Sequence, residues 1–492
     1  MNPAFPDFAD SGVCAVGGPC SRRPASPLAL AGGDAPERDR RRANRWRKAC
    51  CVALLSSATS GGTPALAGQL DYGAGLALSH DSNITRTPTP RADWTESLLA
   101  GLAYAERTAD LSARFLAQVE RRRFAQNTYP NDTRYFLNGA AVWTILPQQL
   151  SWTVEDLATE SRISLTAPDT PANRVNANSL STGPELILRV NPANMPVIGA
   201  RYGRYDIDGP GANRRYTGYA RWLYQLSEGE KISLNYEAMR VDFTPPVPSP
   251  NFLRQDQFLR YERVSPVGTL TLDGGTTHIQ PYGGEDTTGG LARVAATYAL
   301  TSESAVRVLL ADQISDSATD LIRSVTAATS TTMPTTPQET AAAVPFAGST
   351  VALGAVYHTQ RGELTYLALS RGIGYTLQGY ARRVDYINSN PNSDYRETGL
   401  KLTLTWTQAD EMRIYSYMDY LKRTFPGPDE RDTERNSALG ATYRLTSDVF
   451  VTVEGGLIQR DSNIFPPVGF LDRRVMLLLG YSTGPLFAPI RR

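Results

Sequence analysis

From residue 70 to the C-terminus the chain alternates apolar and polar residues in about twenty runs, many of them ten residues or longer. Short and long connections follow one another in strict turn. No other feature narrows the fold so far. A strand with this period has one greasy face and one wet face. Soluble sandwiches keep the pattern for about five or six residues, whereas about ten residues tilted near 45° cross the hydrocarbon core of a membrane. Short turns at one end and long loops at the other are the pattern of a bacterial outer-membrane barrel.

Individual runs separate cleanly into two faces. Leu111, Ala113, Phe115, Ala117 and Val119 alternate with Ser112, Arg114, Gln118 and Glu120. Ile232, Leu234, Tyr236 and Ala238 alternate with Lys231, Ser233, Asn235 and Glu237. Leu400, Leu402, Leu404 and Trp406 oppose Lys401, Thr403 and Thr405, and Val449, Val451 and Val453 oppose Thr452 and Glu454. A charge such as Lys401 facing lipid is costly, so the polar faces are expected to line an interior. Arg201 and Arg204 fall on opposite parities of one run, which calls for a bulge or an interface position.

Beyond the leader, no apolar run approaches the ~18 residues of a membrane helix. Barrel strands need only be half apolar, so 41% hydrophobic residues and a negative mean hydropathy fit a barrel. Lys+Arg 50 against Asp+Glu 49 leaves the chain near neutral, which argues against nucleic acid as a partner. The 24 tyrosines suit aromatic girdles at headgroup level. Cys14, Cys20, Cys50 and Cys51 all precede residue 52, so the remainder has neither a disulfide framework nor a Cys-ligated metal. That suits passage through an oxidising periplasm.

The N-terminus carries its own signals. Arg40–Arg42, Arg45, Arg47 and Lys48 precede the apolar stretch Ala49–Leu55 and then Ala65-Leu66-Ala67. This is the order of a signal peptide, with cleavage expected after Ala67. Residues 1–39 have no apolar period and read as a disordered or mis-started extension, 40–67 as the signal peptide, and 68–492 as the barrel.

The fold expected is all-β: a transmembrane antiparallel up-and-down barrel of about 20 strands, with 18 as the alternative because 176–190 and 267–279 are weakly patterned. Tight turns are expected at Thr108-Ala109, Pro147-Gln148, Pro192-Ala193, Glu228-Gly229, Pro266-Val267, Ser302-Glu303, Gln360-Arg361, Gln408-Ala409 and Thr446-Ser447. Two late strands are expected at 349–359 and 362–375. The longest loop, about 316–348, is a Thr/Ala/Ser/Pro tract with little to bury. With the mature N-terminus in the periplasm, tight turns face the periplasm and long loops the outside. The last run, Val475 to Tyr481, is followed by a tail through Phe487, where outer-membrane barrels usually end on the aromatic that their assembly machinery reads.

Residues that could carry chemistry are few. His80, His278 and His358 stand far apart in sequence, and no G-x-S-x-G elbow, zinc-ligand spacing or P-loop occurs. No catalytic residue, metal or cofactor is assigned, and the chain is read as a non-enzyme. Asp81-Ser82-Asn83-Ile84 recurs as Asp461-Ser462-Asn463-Ile464, and Asp81, Asn83, Asp461 and Asn463 are taken as loop-nucleating Asx residues at the outer rim. Closure of the first strand on the last would make the two copies neighbours. By parity Arg114, Asn138, Arg201, Arg221, Glu237, Arg307, Lys401, Arg413, Glu454 and Arg474 line the lumen. Arginine outnumbers acids in that set, and guanidinium forks suit an anionic or hydroxyl-rich polymer.

The segment Gly73-Ala74-Gly75-Leu76-Ala77-Leu78-Ser79-His80-Asp81-Ser82-Asn83-Ile84-Thr85-Arg86-Thr87-Pro88 resembles the opening of EpsL-type β-barrel porins, which accompany exosortase-linked exopolysaccharide gene sets. Thr85 replaces an aromatic common there. The resemblance implies a barrel in exopolysaccharide biosynthesis or export, offering the polymer a polar path through the outer membrane, and implies no catalytic residues. The partners expected are extracellular polysaccharide, outer-membrane lipid, the barrel-assembly machinery and periplasmic export proteins. A small-solute porin is the alternative, and an outer-membrane barrel enzyme a further one.

Overall fold

The computed structural model describes residues 68–209, 211–245, 250–316, 319–320, 355–387, 394–408, 411–426, 430–464, 468–484 and 486. The leader and extension expected over 1–67, and nearly all of the 316–348 loop, lie outside the described residues. Twenty strands run in chain order: β1 Gln69–Asp81, β2 Asp93–Arg107, β3 Leu111–Phe124, β4 Asp132–Leu146, β5 Leu150–Arg162, β6 Arg174–Ile187, β7 Asn194–Ile207, β8 Asn213–Ser227, β9 Glu230–Phe243, β10 Phe252–Ser265, β11 Gly268–Pro281, β12 Thr287–Thr301, β13 Ser304–Asp316, β14 Val356–Ser370, β15 Ile373–Tyr386, β16 Tyr395–Gln408, β17 Met412–Thr424, β18 Arg431–Arg444, β19 Val449–Ser462 and β20 Val468–Ser482. Each pairs antiparallel with the next, and β1 pairs with β20, so the sheet closes with no free edge. Closure satisfies the backbone where no water can reach it, as membrane-spanning strands must.

The two faces follow the sequence period. Leu76, Leu98, Ile198, Leu234, Leu259, Leu364, Leu400, Leu439, Val475 and Leu477 point outward and are exposed. Trp143, Trp152, Trp222, Tyr298, Trp406 and Tyr443 ring this belt towards the tight turns, and Trp94, Tyr135, Tyr216, Tyr282 and Tyr420 ring it towards the long loops. Such a belt between two girdles is what an outer-membrane barrel presents to lipid, and the outer membrane is where this closed barrel resides. On the inner face, rings lie over glycines of the next strand. Tyr380 covers Gly399 and Tyr415 covers Gly440, where an added Cβ would collide with the ring.

One stretch departs from the sequence reading. The expected strands 349–359 and 362–375 are instead β14 and β15, joined at Arg371-Gly372 rather than at Gln360-Arg361. Arg371 and Gly372 both have positive φ, 50° and 80°, the requirement of a type I′ two-residue turn. Arg361-Gly362 offers the same dipeptide but runs on as strand. His358 therefore lies near the outer end of β14, not beside a periplasmic turn. The parity of the remaining strands is unaffected. Arg201 and Arg204 need no bulge: β7 keeps one register with β8, and Arg204 is an outer-rim position, exposed and paired with Asp206 at 2.8 Å.

Candidate functional site

All nine charged lumen candidates occupy the inward parity, which is the parity of Ser79, Glu120, Asn235, Arg254 and Asp472 in the buried interior. Their surroundings differ. Arg474 and Glu454 form a buried ion pair, and Glu454 also accepts the Tyr415 hydroxyl at 2.8 Å. Arg221 donates to Asn235 Oδ1 at 3.0 Å and stands over the Tyr219 ring. Arg201 donates to the Gly183 carbonyl at 3.2 Å. Arg201, Arg221, Arg307 and Arg413 form no salt bridge with the described residues. Lys401 stands opposite Asp419 in the register, Glu237 opposite Asp256, Arg114 opposite Ala140 and Asn138 opposite Leu157. Glu155, Glu185 and Asp419 share this inner face, so the excess of arginine over acid is smaller than the sequence list implied.

The densest charge was not anticipated. It lies in the outer third of the interior, where the connection 163–173 between β5 and β6 turns inward and crosses to the far wall. Leu165 is buried against Tyr357 of β14, Val384 of β15 and Tyr395 of β16. Arg460 of β19 donates to the Thr166 carbonyl at 2.8 Å and reaches that of Leu165 at 3.4 Å. Arg86, from the β1–β2 loop, donates to the Asp169 carbonyl. The connection is stiff because Asn173 is its hub. Asn173 Nδ2 donates to the carbonyls of Ser164, Ala167 and Pro168 at 2.8, 3.2 and 3.0 Å, and its Oδ1 accepts the Ser164 N–H at 2.9 Å.

A chain of charge-assisted bonds ties this connection to both walls. Arg134 pairs with Glu160 at 3.0 Å, Glu160 with Arg174 at 3.1 Å, and Arg174 with Asp169 at 2.6 Å. Arg162 takes Asp169 at 3.0 Å and then spans the interior to both oxygens of Glu434, at 3.2 and 3.3 Å. Arg423 joins Glu434, Glu397 and Asp432 at 3.2, 2.7 and 3.3 Å, and Arg460 holds Asp432 at 2.7 Å. Five guanidinium groups meet five carboxylates, so the network neutralises itself. Beside it, Arg215 of β8 pairs with Asp316 of β13 and donates to Thr319 at 2.7 Å, while Asp320 accepts from Tyr357 and Arg382 at 2.7 and 2.9 Å. Arg134, Glu397, Arg423, Asp432, Glu434 and Arg460 share a sequence signal, inward parity within a few positions of a strand's outer end, whereas Glu160, Arg162 and Arg174 carry the opposite parity, in β5 that of the exposed Trp152.

Burial alone would raise the Asp169 carboxyl, but Arg162 and Arg174 hold it well below the usual carboxylate range. A depressed folded value means that the clamp's contribution is complete above about pH 4 and is lost only as pH falls through that lower value. The conductance of barrels reconstituted in planar bilayers is therefore expected to stay flat from about pH 7 to pH 5 and to rise only in stronger acid. A rise already at about pH 6 would show that Asp169 does not hold the connection.

The repeated motif divides in two. Asp81 faces the interior and is buried, whereas Asp461 faces out, more than half exposed, and pairs with Arg435 at 3.5 Å. Asn83 orders its loop, donating to the Thr87 carbonyl at 2.7 Å and, through its backbone N–H, to Asp472 at 2.8 Å. Asn463 Oδ1 accepts the Arg431 N–H at 2.7 Å. The two copies flank β20 from either side. The histidines are dispersed: His80 stacks on Trp94, His278 meets Thr288 at 2.8 Å, and His358 meets Asp312 at 2.6 Å.

No family model matches the chain, and no curated protein matches it. Among solved structures, the siderophore receptor PirA from Pseudomonas aeruginosa is 11% identical with a TM-score of 0.41, covering 84% of this chain and 80% of that one. A variant of the ferric enterobactin receptor PfeA from the same organism gives 11%, 0.42, 84% and 80%. The FrpB iron transporter from Neisseria meningitidis gives 8%, 0.39, 84% and 81%. Likenesses at this level say nothing of what this chain carries; the barrel stands on its own closed ladder.

Proposed function

We propose that this barrel is a constricted outer-membrane conduit for an anionic, hydroxyl-rich polymer, the exopolysaccharide class implied by the resemblance of residues 73–88. The observation that carries this reading is the contrast between the two ends of the interior. Arg201, Arg221, Arg307 and Arg413 offer guanidinium groups in no salt bridge with the described residues, while the outer third spends its charge on holding 163–173 in place. Polymer would be drawn along the arginine-bearing wall and pass when the inward connection yields. Narrowing by the same connection also favours a second reading, a porin for small solutes.

The two readings separate in one experiment. The mature chain in a planar bilayer is expected to be anion-selective, poorly conducting and blocked by micromolar acidic polysaccharide added from the periplasmic side. A strain lacking the chain is expected to retain polymer in the periplasm. Free passage of uncharged disaccharide, no block by acidic polymer and normal secretion would establish the small-solute porin.

A further inference from the structure

On its outer face the barrel is electrostatically lopsided near the outer rim. Arg383 of β15 and Arg396 of β16 are direct register partners, both outward and exposed. Arg396 pairs in register with Thr424 of β17, and Thr424 with Arg431 of β18, which continues the row across four strands. Lys422 and Arg435 lie just below on the same face, and Arg473 lies on β20. Six cations thus meet two acids, Asp385 and Asp461, which pair with Arg383 and Arg435. The sector over β7–β9 is nearly balanced by comparison: Arg204, Arg214 and Arg240 stand with Asp206 and Asp242.

Like charges directly opposite on a sheet repel and destabilise the pair. Arg383 facing Arg396 is relieved when an anion bridges them. Neighbouring strands are about 4.8 Å apart, so one phosphate can span adjacent positions in the row and a second can reach Arg431 two strands away. Thr398, Thr424 and Thr433 supply hydroxyl donors between the cations. Directly below lie Leu400, Met418, Tyr420 and Leu439, all exposed. A free anion would gain nothing from that apolar surface, whereas an acyl chain would cover it.

We infer that the outward face of β15–β18 is a binding site for a phosphate-bearing lipid of the surrounding outer leaflet, its headgroup on Arg383, Arg396 and Arg431 and its acyl chains on the belt below. The site is independent of the lumen and of any cargo. Its ligand would hold fixed the wall against which Leu165 seats.

The test uses the purified mature barrel in neutral detergent, probed with bisphosphorylated lipid A and with the same lipid dephosphorylated, by native mass spectrometry. The phosphorylated form is expected to be retained about tenfold better than the dephosphorylated one, and R396E/R431E is expected to abolish the difference. R204E/R240E, on the balanced sector, is expected to leave it intact. If R396E/R431E fails to assemble, R396Q/R431Q carries the test at conserved size. Equal retention of both lipids by the unsubstituted barrel, or undiminished preference in the assembled double variant, would overturn the inference. Displacement of bound lipid A by equimolar inorganic phosphate would overturn the assignment to a lipid.

Discussion

Replacing Arg460 with Ala is expected to raise the conductance of the reconstituted barrel several-fold while the barrel still assembles. Arg460 is fully buried, holds Asp432 through two nitrogens and fixes the 163–173 connection through the Thr166 carbonyl. Breaking a buried pair by removing one partner costs up to about 3–5 kcal/mol, and less here because Asp432 keeps Arg423 at 3.3 Å. The wall can bear that cost, since β18 and β19 remain joined along their whole ladder. The connection has no ladder to fall back on. Leu165→Asp tests the same idea without altering a wall charge: a carboxylate cannot sit among Tyr357, Val384 and Tyr395. Heat-modifiability on a gel reports assembly in parallel. Two assembled variants with unchanged conductance would mean that the connection does not limit passage.

The second large effect is expected in the inner half. Converting Arg201, Arg221, Arg307 and Arg413 to Glu together should invert ion selectivity and lower polymer export about tenfold, since a low-dielectric wall amplifies the sign of the charges lining it. None of the four forms a salt bridge with the described residues, so reversal breaks no direct ion pair, although Glu155 shares the inner face with Arg201. Glu454→Ala belongs to the same lumen set and should behave otherwise. It removes the ion-pair partner of buried Arg474 and leaves only Asp81 opposite it in the register, at a cost of up to about 3–5 kcal/mol, and should reduce the assembled barrel rather than its selectivity. Assembled barrel, reversal potential and secreted polymer measured in the same strains distinguish guidance from support. Unaltered selectivity in an assembled quadruple variant would remove these arginines from any path.

The strands were legible because a barrel imposes one rule, alternation, on every residue between two turns. Lys401, Glu237 and Glu454 could be assigned to the interior from their neighbours alone. Arg371-Gly372 was missed because Arg361-Gly362 presents the same dipeptide ten positions earlier, and only strand length decides between them. The constriction was out of reach for a different reason. Alternation says which wall a side chain leaves but not which wall it meets, and Arg162 meets Glu434 from a distant strand. Leu165, a single leucine in a polar loop, carries no period at all. The rule that could have drawn attention to part of the network is positional: inward arginines such as Arg134, Arg423 and Arg460 gather at outer strand ends, while Arg162 has the parity of the exposed Trp152.

The seam between β1 and β20 pairs only nine positions, from Gly73↔Ser482 to Asp81↔Arg474, against thirteen between β1 and β2. Just beyond it Thr483 exchanges bonds with Tyr72, 411 residues away in the chain. Contacts between such distant partners bring no reward until the loop-closure entropy of nearly the whole chain has been met. Every other ladder joins neighbours and can zip locally; this one waits for the final strand. Until it forms, the inner face of β1 and its row of unpaired amides remain an open template. The first and last strands of this chain are thus its kinetic bottleneck, and an assembly factor that shields one of them for the duration of synthesis would act where the fold is slowest.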